Sequence, residues 1–332
     1  MTRWTDAAGP AGEALIARAS ARYRAADPFA VHFARFKLRN DPVFAIALAQ
    51  GLIPDGARIL DIGCGQGLLA SWLLAARQCH PDSWPQGWPA PPVPRSYLGI
   101  ELTPADAERA RAALAEPGPW PAEIRQADAR AAVAEVAAAC DLVVLLDVLH
   151  YIDRPAQEAL LRDALRCLAP GGRLLMRVGD ASAGWRARYS RAVDRVVQWL
   201  RAGRTSPLTC RPADEWRALL RGMGMTLREV PLPRDAHGAN VLMVGTLDAV
   251  DAVDAVAGVA GVAGVDAVDA VGAVGAADAL DASDAPKGQA VRAMQAAQAE
   301  PGAASREAAA RSSATTSAAA STTASTGEME PL

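Results

Sequence analysis

Between Asp141 and Leu146 the chain reads Asp-Leu-Val-Val-Leu-Leu, apolar at every position after the first. The run is too short for a helix, and a strand without polar alternation must be covered on both faces. A sheet buried on both sides needs helices in two layers, and the sequence supplies them in alternation. Ala57 to Ile62 reads as a short buried strand, Leu68 to Gln78 as a helix, Ser96 to Glu101 as a strand, and Pro104 to Ala115 as a helix with Thr103 at its N-cap. Ala122 to Ala127 reads as a weaker strand followed by an alanine-rich helix to Ala139. Pro155 to Leu168 reads as a helix closed by Pro170-Gly171-Gly172, and Arg173 to Val178 as a fifth strand. Met225 to Val230 and Ala239 to Gly245 read as a closing pair. Strands alternating with helices through short turns predict an α/β fold with a parallel, doubly wound sheet.

What flanks this alternation is different in kind. Residues 1–55 read as helical, with Phe29, Phe33 and Phe36 spaced i, i+4, i+7 along one face. His32 is assigned to that same face, as core filler or as part of a pocket wall. Val193, Val196, Val197 and Leu200 form a second stripe, with Arg188, Arg191 and Arg195 on the opposite side. A Pro/Trp-rich insertion over 79–95 holds six prolines between Pro81 and Pro94, which excludes regular structure there. Beyond Asp248 the chain repeats Asp-Ala-Val and Gly-Val-Ala units and then turns Ala/Ser/Thr-rich. All 16 aromatic residues lie at or before Trp216, so residues 248–332 lack side chains large enough to offset ordering entropy and are expected to be disordered.

Charge follows the same division. Residues 248–332 carry 12 acids against 4 bases, a balance of −8, which leaves 1–247 at +5. A mildly basic body with an acidic tail is no nucleic-acid binder by charge alone. No apolar run reaches the ~18 residues a membrane span requires. The five cysteines are odd in number and show no CxxC pairing, so neither a disulfide framework nor a zinc cluster is indicated, and a soluble, cytoplasmic chain is expected.

The sharpest local signal is Asp61-Ile62-Gly63-Cys64-Gly65-Gln66-Gly67, at the end of the first strand and opening a helix. Glycines at such a turn let backbone N–H groups approach a ligand. A dinucleotide fingerprint would need its third glycine at position 68, which is Leu68. An acid leading the bend suits a cationic amino group better than a pyrophosphate.

At these residues the chain resembles the class I S-adenosylmethionine-dependent methyltransferases, in which DxGxGxG forms the pocket for the cofactor's amino-acid end. The resemblance implies S-adenosylmethionine as cofactor and a set of further contacts. Glu101 would accept both ribose hydroxyls, Leu102 would pack on adenine, and Asp128 with the Ala129 backbone would receive the adenine amine. Asp147-Val148-Leu149-His150-Tyr151 follows the fourth strand as in the family's small-molecule branch, with the Asp147 backbone against the methionine portion or, alternatively, capping the turn. It also implies seven strands, the last antiparallel, over residues 56–247, with 1–55 as a helical lid helped by 180–223. The gap from Asp61 to Glu101 is longer than usual for the family, and a strand hidden in the insertion would displace Glu101 from this role.

A small organic methyl acceptor is the expected partner, with an oxygen weakly favoured as the accepting atom. His150 is the candidate base if the acceptor must lose a proton, with Tyr151 beside it. Lys37, alone among 29 arginines in residues 1–247, is a candidate for facing a carboxylate of cofactor or substrate. The Arg188, Arg191, Arg195 face is a solvated surface or a dock for an anionic partner such as a carrier protein. The competing readings are a silent cofactor-binding module, a nucleic-acid methyltransferase, which the prolines missing from the Asp147 turn disfavour, and an NAD-dependent oxidoreductase.

Overall fold

Aspartate followed closely by proline starts three of the helices. Asp27 accepts from the Ala30 N–H at 2.7 Å, Asp41 from Val43 at 3.1 Å and Asp153 from Ala156 at 2.9 Å, each helix carrying proline in its first turn. A computed structural model of the chain describes residues 4–182, 208–233 and 240–247. Its helices are α1 (Trp4–Ala21, kinked at Gly9), α2 (Pro28–Asn40), α3 (Pro42–Ala49), α4 (Leu68–Arg77), α5 (Pro104–Ala113), α6 (Ala129–Ala132), α7 (Arg154–Arg166) and α8 (Ala213–Gly222). The second apolar stripe (Val193, Val196, Val197, Leu200), the face of Arg188, Arg191 and Arg195, and the tail 248–332 lie outside the described residues.

Seven strands form one sheet: β1 (Arg58–Ile62), β2 (Ser96–Glu101), β3 (Ala122–Gln126), β4 (Cys140–Leu146), β5 (Leu168–Gly179), β6 (Met225–Val230) and β7 (Asn240–Leu247). Their order is β3-β2-β1-β4-β5-β7-β6, with β7 antiparallel to both its neighbours. The chain winds outward from β1 to β3 and then restarts at β4 on the other side of β1. Open α/β sheets bind ligands at such a reversal, beyond the carboxyl ends of the strands.

The unbroken apolar run of β4 is buried from both sides as its composition requires. Leu142 and Val144 join the hydrophobic cluster under α1 to α5, whereas Val143 and Leu145 join the one under α7 and α8. Helices α1 to α3 share the first cluster with α4 through Leu15, Ile16, Leu38, Leu48, Trp72 and Leu73. Residues 79–95 contain a 3-10 turn at Pro81–Ser83 and no strand, so Glu101 ends the second strand of the chain. Trp84 and Trp88 meet edge to face with ring centres 5.7 Å apart, Trp88 lies 6.4 Å from Trp4, and Trp4 meets Trp72 edge to face at 5.9 Å. These four rings pin the insertion against α1 and α4.

Three local expectations fail for identifiable reasons. The alanine-rich helix to Ala139 is one turn of α6 and a 3-10 turn at Val133–Glu135, because the Val133 and Val136 carbonyls turn in to accept from the Cys167 thiol. Pro170-Gly171-Gly172 does not close a helix but lies within β5, where pairing with β4 shifts register between Cys140 and Leu142. On α2 the buried face is Ala30, Ala34 and Leu38, and its two alanines let the helix lie close to α1. Phe29, Phe33 and Phe36 are only half-buried, and His32 is exposed and fills no core. Among the described residues no helix is long and apolar enough to cross a membrane.

Candidate functional site

The bend after β1 is built by left-handed backbone. Gly63, Gly65 and Gly67 have φ of 71°, 57° and 71°, a region that side-chain-bearing residues avoid. Space adds a second requirement at Gly63, where a Cβ would stand 2.4 Å from a Val148 methyl carbon. The bend and the turn after β4 therefore touch. The N–H groups of Gly63 and Cys64 both donate to the Ile100 carbonyl, at 2.8 and 3.1 Å, which ties the bend to the tip of β2.

Glu101 ends β2 and turns into that bend. One carboxylate oxygen accepts from the Gly65 N–H at 2.9 Å and the other from Thr103 N–H at 2.8 Å. A carboxylate offers about four lone-pair sites, so each oxygen retains acceptor capacity for a further donor. The next residue, Leu102, is 63% exposed and is the exposed large hydrophobic residue among those described. Parallel register places Asp61 opposite Gly99, so Asp61, Tyr97, Gly99 and Glu101 share one face of the sheet. There the Tyr97 hydroxyl donates to Asp61 at 2.6 Å. Burial pushes the Asp61 carboxyl up to about 7, and Glu101 adds to the rise while the Tyr97 hydrogen bond opposes it. The Cys64 thiol, also raised by burial and by the neighbouring acids, stays protonated.

The turn after β4 has the opposite electrostatics. Asp147 is the single described residue other than glycine with positive φ, at 61°. Arg177 of β5 holds it there, accepting its N–H at 3.2 Å through the backbone carbonyl and donating from Nε to its carboxylate at 2.8 Å. The same guanidinium donates to Asp41 at 2.7 Å, so one buried arginine joins the α2–α3 corner to the tips of β4 and β5. Lys37 lies 2.9 Å from Asp41 and 3.9 Å from Asp147. Both of these carboxylates are the protein's own, and the Lys37 side chain is also partly exposed. Burial would raise both carboxyls, but Arg177 and Lys37 overcome it, lowering Asp147 and holding Asp41 well below the usual carboxylate range.

Asp128 reaches the same rim from β3, but its carboxylate is committed locally. It caps α6 by accepting from the Arg130 N–H at 3.0 Å and pairs with the Arg130 guanidinium, which lowers its pKa. Ala129 is the first residue of α6. His150 is buried in a 3-10 turn at Leu149–Tyr151, its ring centre 4.1 Å from that of Tyr151. That turn is clamped by Gln157, whose amide nitrogen donates to the carbonyls of Leu149 and Thr209 at 2.9 and 2.8 Å. Arg211 in turn donates to the Gln157 amide oxygen at 2.8 Å. Among the described residues no group of three or more His, Cys, Asp or Glu side chains is arranged to hold a metal ion.

A family model described as a methyltransferase domain matches residues 34–230, more than half of the chain and all of the tips just described. The chain belongs to this methyltransferase family. The methyltransferase is 27% identical over 188 residues to the ubiquinone biosynthesis O-methyltransferase of Caulobacter sp. (strain K31), a match covering 55% of this chain and 62% of that protein. The chain thus spans less than two thirds of that relative's length. An O-methyltransferase family protein from Burkholderia thailandensis is similar in structure, with TM-score 0.45, 16% identity and coverage of 70% and 63% of the two chains. So is magnesium protoporphyrin IX methyltransferase from Synechocystis PCC 6803, solved with bound SAH, at TM-score 0.43, 16% identity and coverage of 66% and 87%.

S-adenosylmethionine is the cofactor of the methyltransferase. The tips suit it on their own chemistry. No arginine or lysine among the described residues pairs with Asp61 or Glu101, as a cationic ligand requires, Glu101 retains acceptor capacity for hydroxyls, and Leu102 offers an apolar surface. Sequence reading missed Tyr97, Asp41 and Arg177. Tyr97 had a usable signal, since in Tyr97-Leu98-Gly99-Ile100-Glu101 it shares its face with the expected ribose acid.

Proposed function

We propose that the protein transfers a methyl group from S-adenosylmethionine to a small organic acceptor, with an oxygen as the accepting atom. One observation carries the assignment of the site. Glu101, 36 residues beyond Gly65, brings its carboxylate onto the N–H of that glycine, so the acid for the ribose and the bend for the amino-acid end form one cradle. The O-methyltransferase relative supports the choice of oxygen.

When bound, the cofactor supplies a methyl group on a positively charged sulfur, an electrophile with an excellent leaving group. The protein's work is alignment and exclusion of water. In this reading Gly63, Gly65, Gly67 and Asp61 hold the amino-acid end, Glu101 takes the ribose hydroxyls, and Leu102, Asp128 and Ala129 meet the adenine. The Asp147 backbone lines the methionine portion, its strained conformation fixed by Arg177. His150 takes the proton from an acceptor hydroxyl, with Tyr151 packed on its ring to hold the imidazole. Helices α1 to α3, continuous with the core, roof the tips as a lid.

Calorimetry with S-adenosylmethionine, S-adenosylhomocysteine and NAD tests the cradle. Binding of the first two and none of the third is expected. Glu101→Ala should weaken binding by roughly 1.5–3 kcal/mol, the range for hydrogen bonds to a charged group. Tight NAD binding without response to the other two would overturn the reading. Turnover with a panel of phenols and carboxylates tests the transfer, and binding without methylation of any acceptor would leave a silent module.

A further inference from the structure

The glycine bend faces acids that the protein itself does not neutralise. Asp61 is 4% exposed and Glu101 is 7% exposed, and among the described residues neither pairs with arginine or lysine. Arg109, a basic side chain on α5, is bound to Asp106 at 3.2 Å and Asp27 at 2.9 Å. A buried carboxylate in such surroundings tends to take up a proton, and a protonated Asp61 presents no charge to an ammonium group. The hydrogen bond that opposes this comes from Tyr97, one strand away.

We propose that Tyr97 is a positioning residue for the cofactor: its hydroxyl, 2.6 Å from Asp61, favours the anionic form of that carboxylate and fixes it beside the glycine bend, where it meets the cofactor's amino group. The inference rests on the reading of the bend as the cofactor cradle. Two features make the pair a built device rather than an incidental contact. Tyr97 is itself 2% exposed, so neither partner has water to fall back on. The register of β1 and β2 places Gly99, with no side chain, between Tyr97 and Glu101 on that face. A Cβ there would stand 2.7 Å from Cys64 Sγ, so the gap is filled by the bend itself.

The groups facing Asp61 are few. Tyr97 and Glu101 reach it from β2 and Cys64 from the bend, and the Tyr23 phenol beyond them touches the electrostatics of Tyr97. Burial and the neighbouring acid keep the Tyr97 phenol protonated far above neutrality, so it remains a donor across the working range. The balance is then simple. Asp61 must be ionised to bind an ammonium group, and Tyr97 sets the pH at which it ionises.

The test is calorimetric titration of the full chain with S-adenosylhomocysteine, which carries the same amino acid end as the cofactor, between pH 5.5 and 9. Affinity should rise with pH as Asp61 ionises and decline only at the alkaline end, as the ligand's own amino group loses its proton, since the adjacent carboxylate holds that group above the ~8 of a peptide N-terminus. In Tyr97→Phe the rising limb moves up by about one pH unit, the falling limb stays, and affinity at pH 7 drops about fivefold. Asp61→Asn removes the rising limb, and adding Tyr97→Phe to it produces no further loss. A Tyr97→Phe protein that binds more weakly by the same factor at every pH overturns the proposal, because that is the signature of a packing defect. Should Tyr97→Phe not fold, Asp61→Asn alone decides, and a preserved rising limb refutes it. Wild-type protein that binds no S-adenosylhomocysteine at all overturns the cradle and Tyr97's role together, whereas binding with an unmoved limb in Tyr97→Phe refutes only the latter.

Discussion

Two aspartates stand at the tips of neighbouring strands, and their surroundings make them opposites. Asp61 of β1 is buried with a phenol and another acid for company, and its carboxyl is pushed up to about 7. Asp147, just past β4, shares Arg177 and Lys37 with Asp41, and its carboxyl is pushed down. Asp61 is buried and Asp147 only half-buried, yet burial pushes both carboxyls in the same direction, upward. The difference lies in whether the protein supplies the counter-charge. At the β4 tip it does, which makes that corner a closed structural joint. At the β1 bend it does not, which leaves a place for a positive group from outside.

Removing the supplied counter-charge is the most severe way to break this contrast. Arg177→Met strands the buried Asp41 and the half-buried Asp147 carboxylates and should cost about 3–5 kcal/mol, the usual penalty for orphaning one side of a buried ion pair. Chemical denaturation at pH 7 measures it. A loss under 1 kcal/mol would show that Lys37 alone neutralises both acids. The residual destabilisation should shrink on acidification, because Asp41 and Asp147 have lowered pKa values in the folded state. Their contribution is present above the ordinary carboxylate pKa and disappears as pH falls below it.

Asp61 gives the opposite sign. Its folded pKa is raised, so the folded state holds a proton that the unfolded chain has released between about pH 4 and pH 7. Ionising it therefore destabilises the ligand-free fold. Asp61→Asn should stabilise the ligand-free protein by roughly 2–4 kcal/mol at pH 8 while weakening cofactor binding, a trade often found at functional sites. Thermal unfolding at pH 4 and pH 8 reads this directly, with the gain confined to the higher pH. Equal stability of variant and wild type at pH 8 would mean Asp61 is solvated and the contrast false. The smallest effect belongs to Lys37→Met. This partly exposed member of the joint should cost about 1 kcal/mol or less by denaturation, since screening weakens such pairs.

The fold was largely legible because its signals are local. An apolar run in β4, glycines after β1 and the proline-started helices each declare themselves within a few residues. The bend was legible for the same reason. What escaped depends on which residues meet across the sheet. Arg177 and Asp41 are 136 positions apart, and nothing within either segment marks the other. Tyr97 looked like ordinary strand filler until the register of β1 and β2 set it against Asp61. On α2 the phenylalanine stripe misled because helix faces were judged by size, whereas the alanines of the opposite side allow the closest approach to α1.

The four indoles of Trp4, Trp72, Trp84 and Trp88, half of the tryptophans in the chain, are packed within ring separations of 5.7 to 6.4 Å. Excitation energy passes readily between rings so near one another. The emission of these four indoles is therefore coupled, and a change at any one of them, such as the undocking of Trp4 with the start of α1, is felt by the others at the corner where α1, α4 and the proline-rich insertion converge.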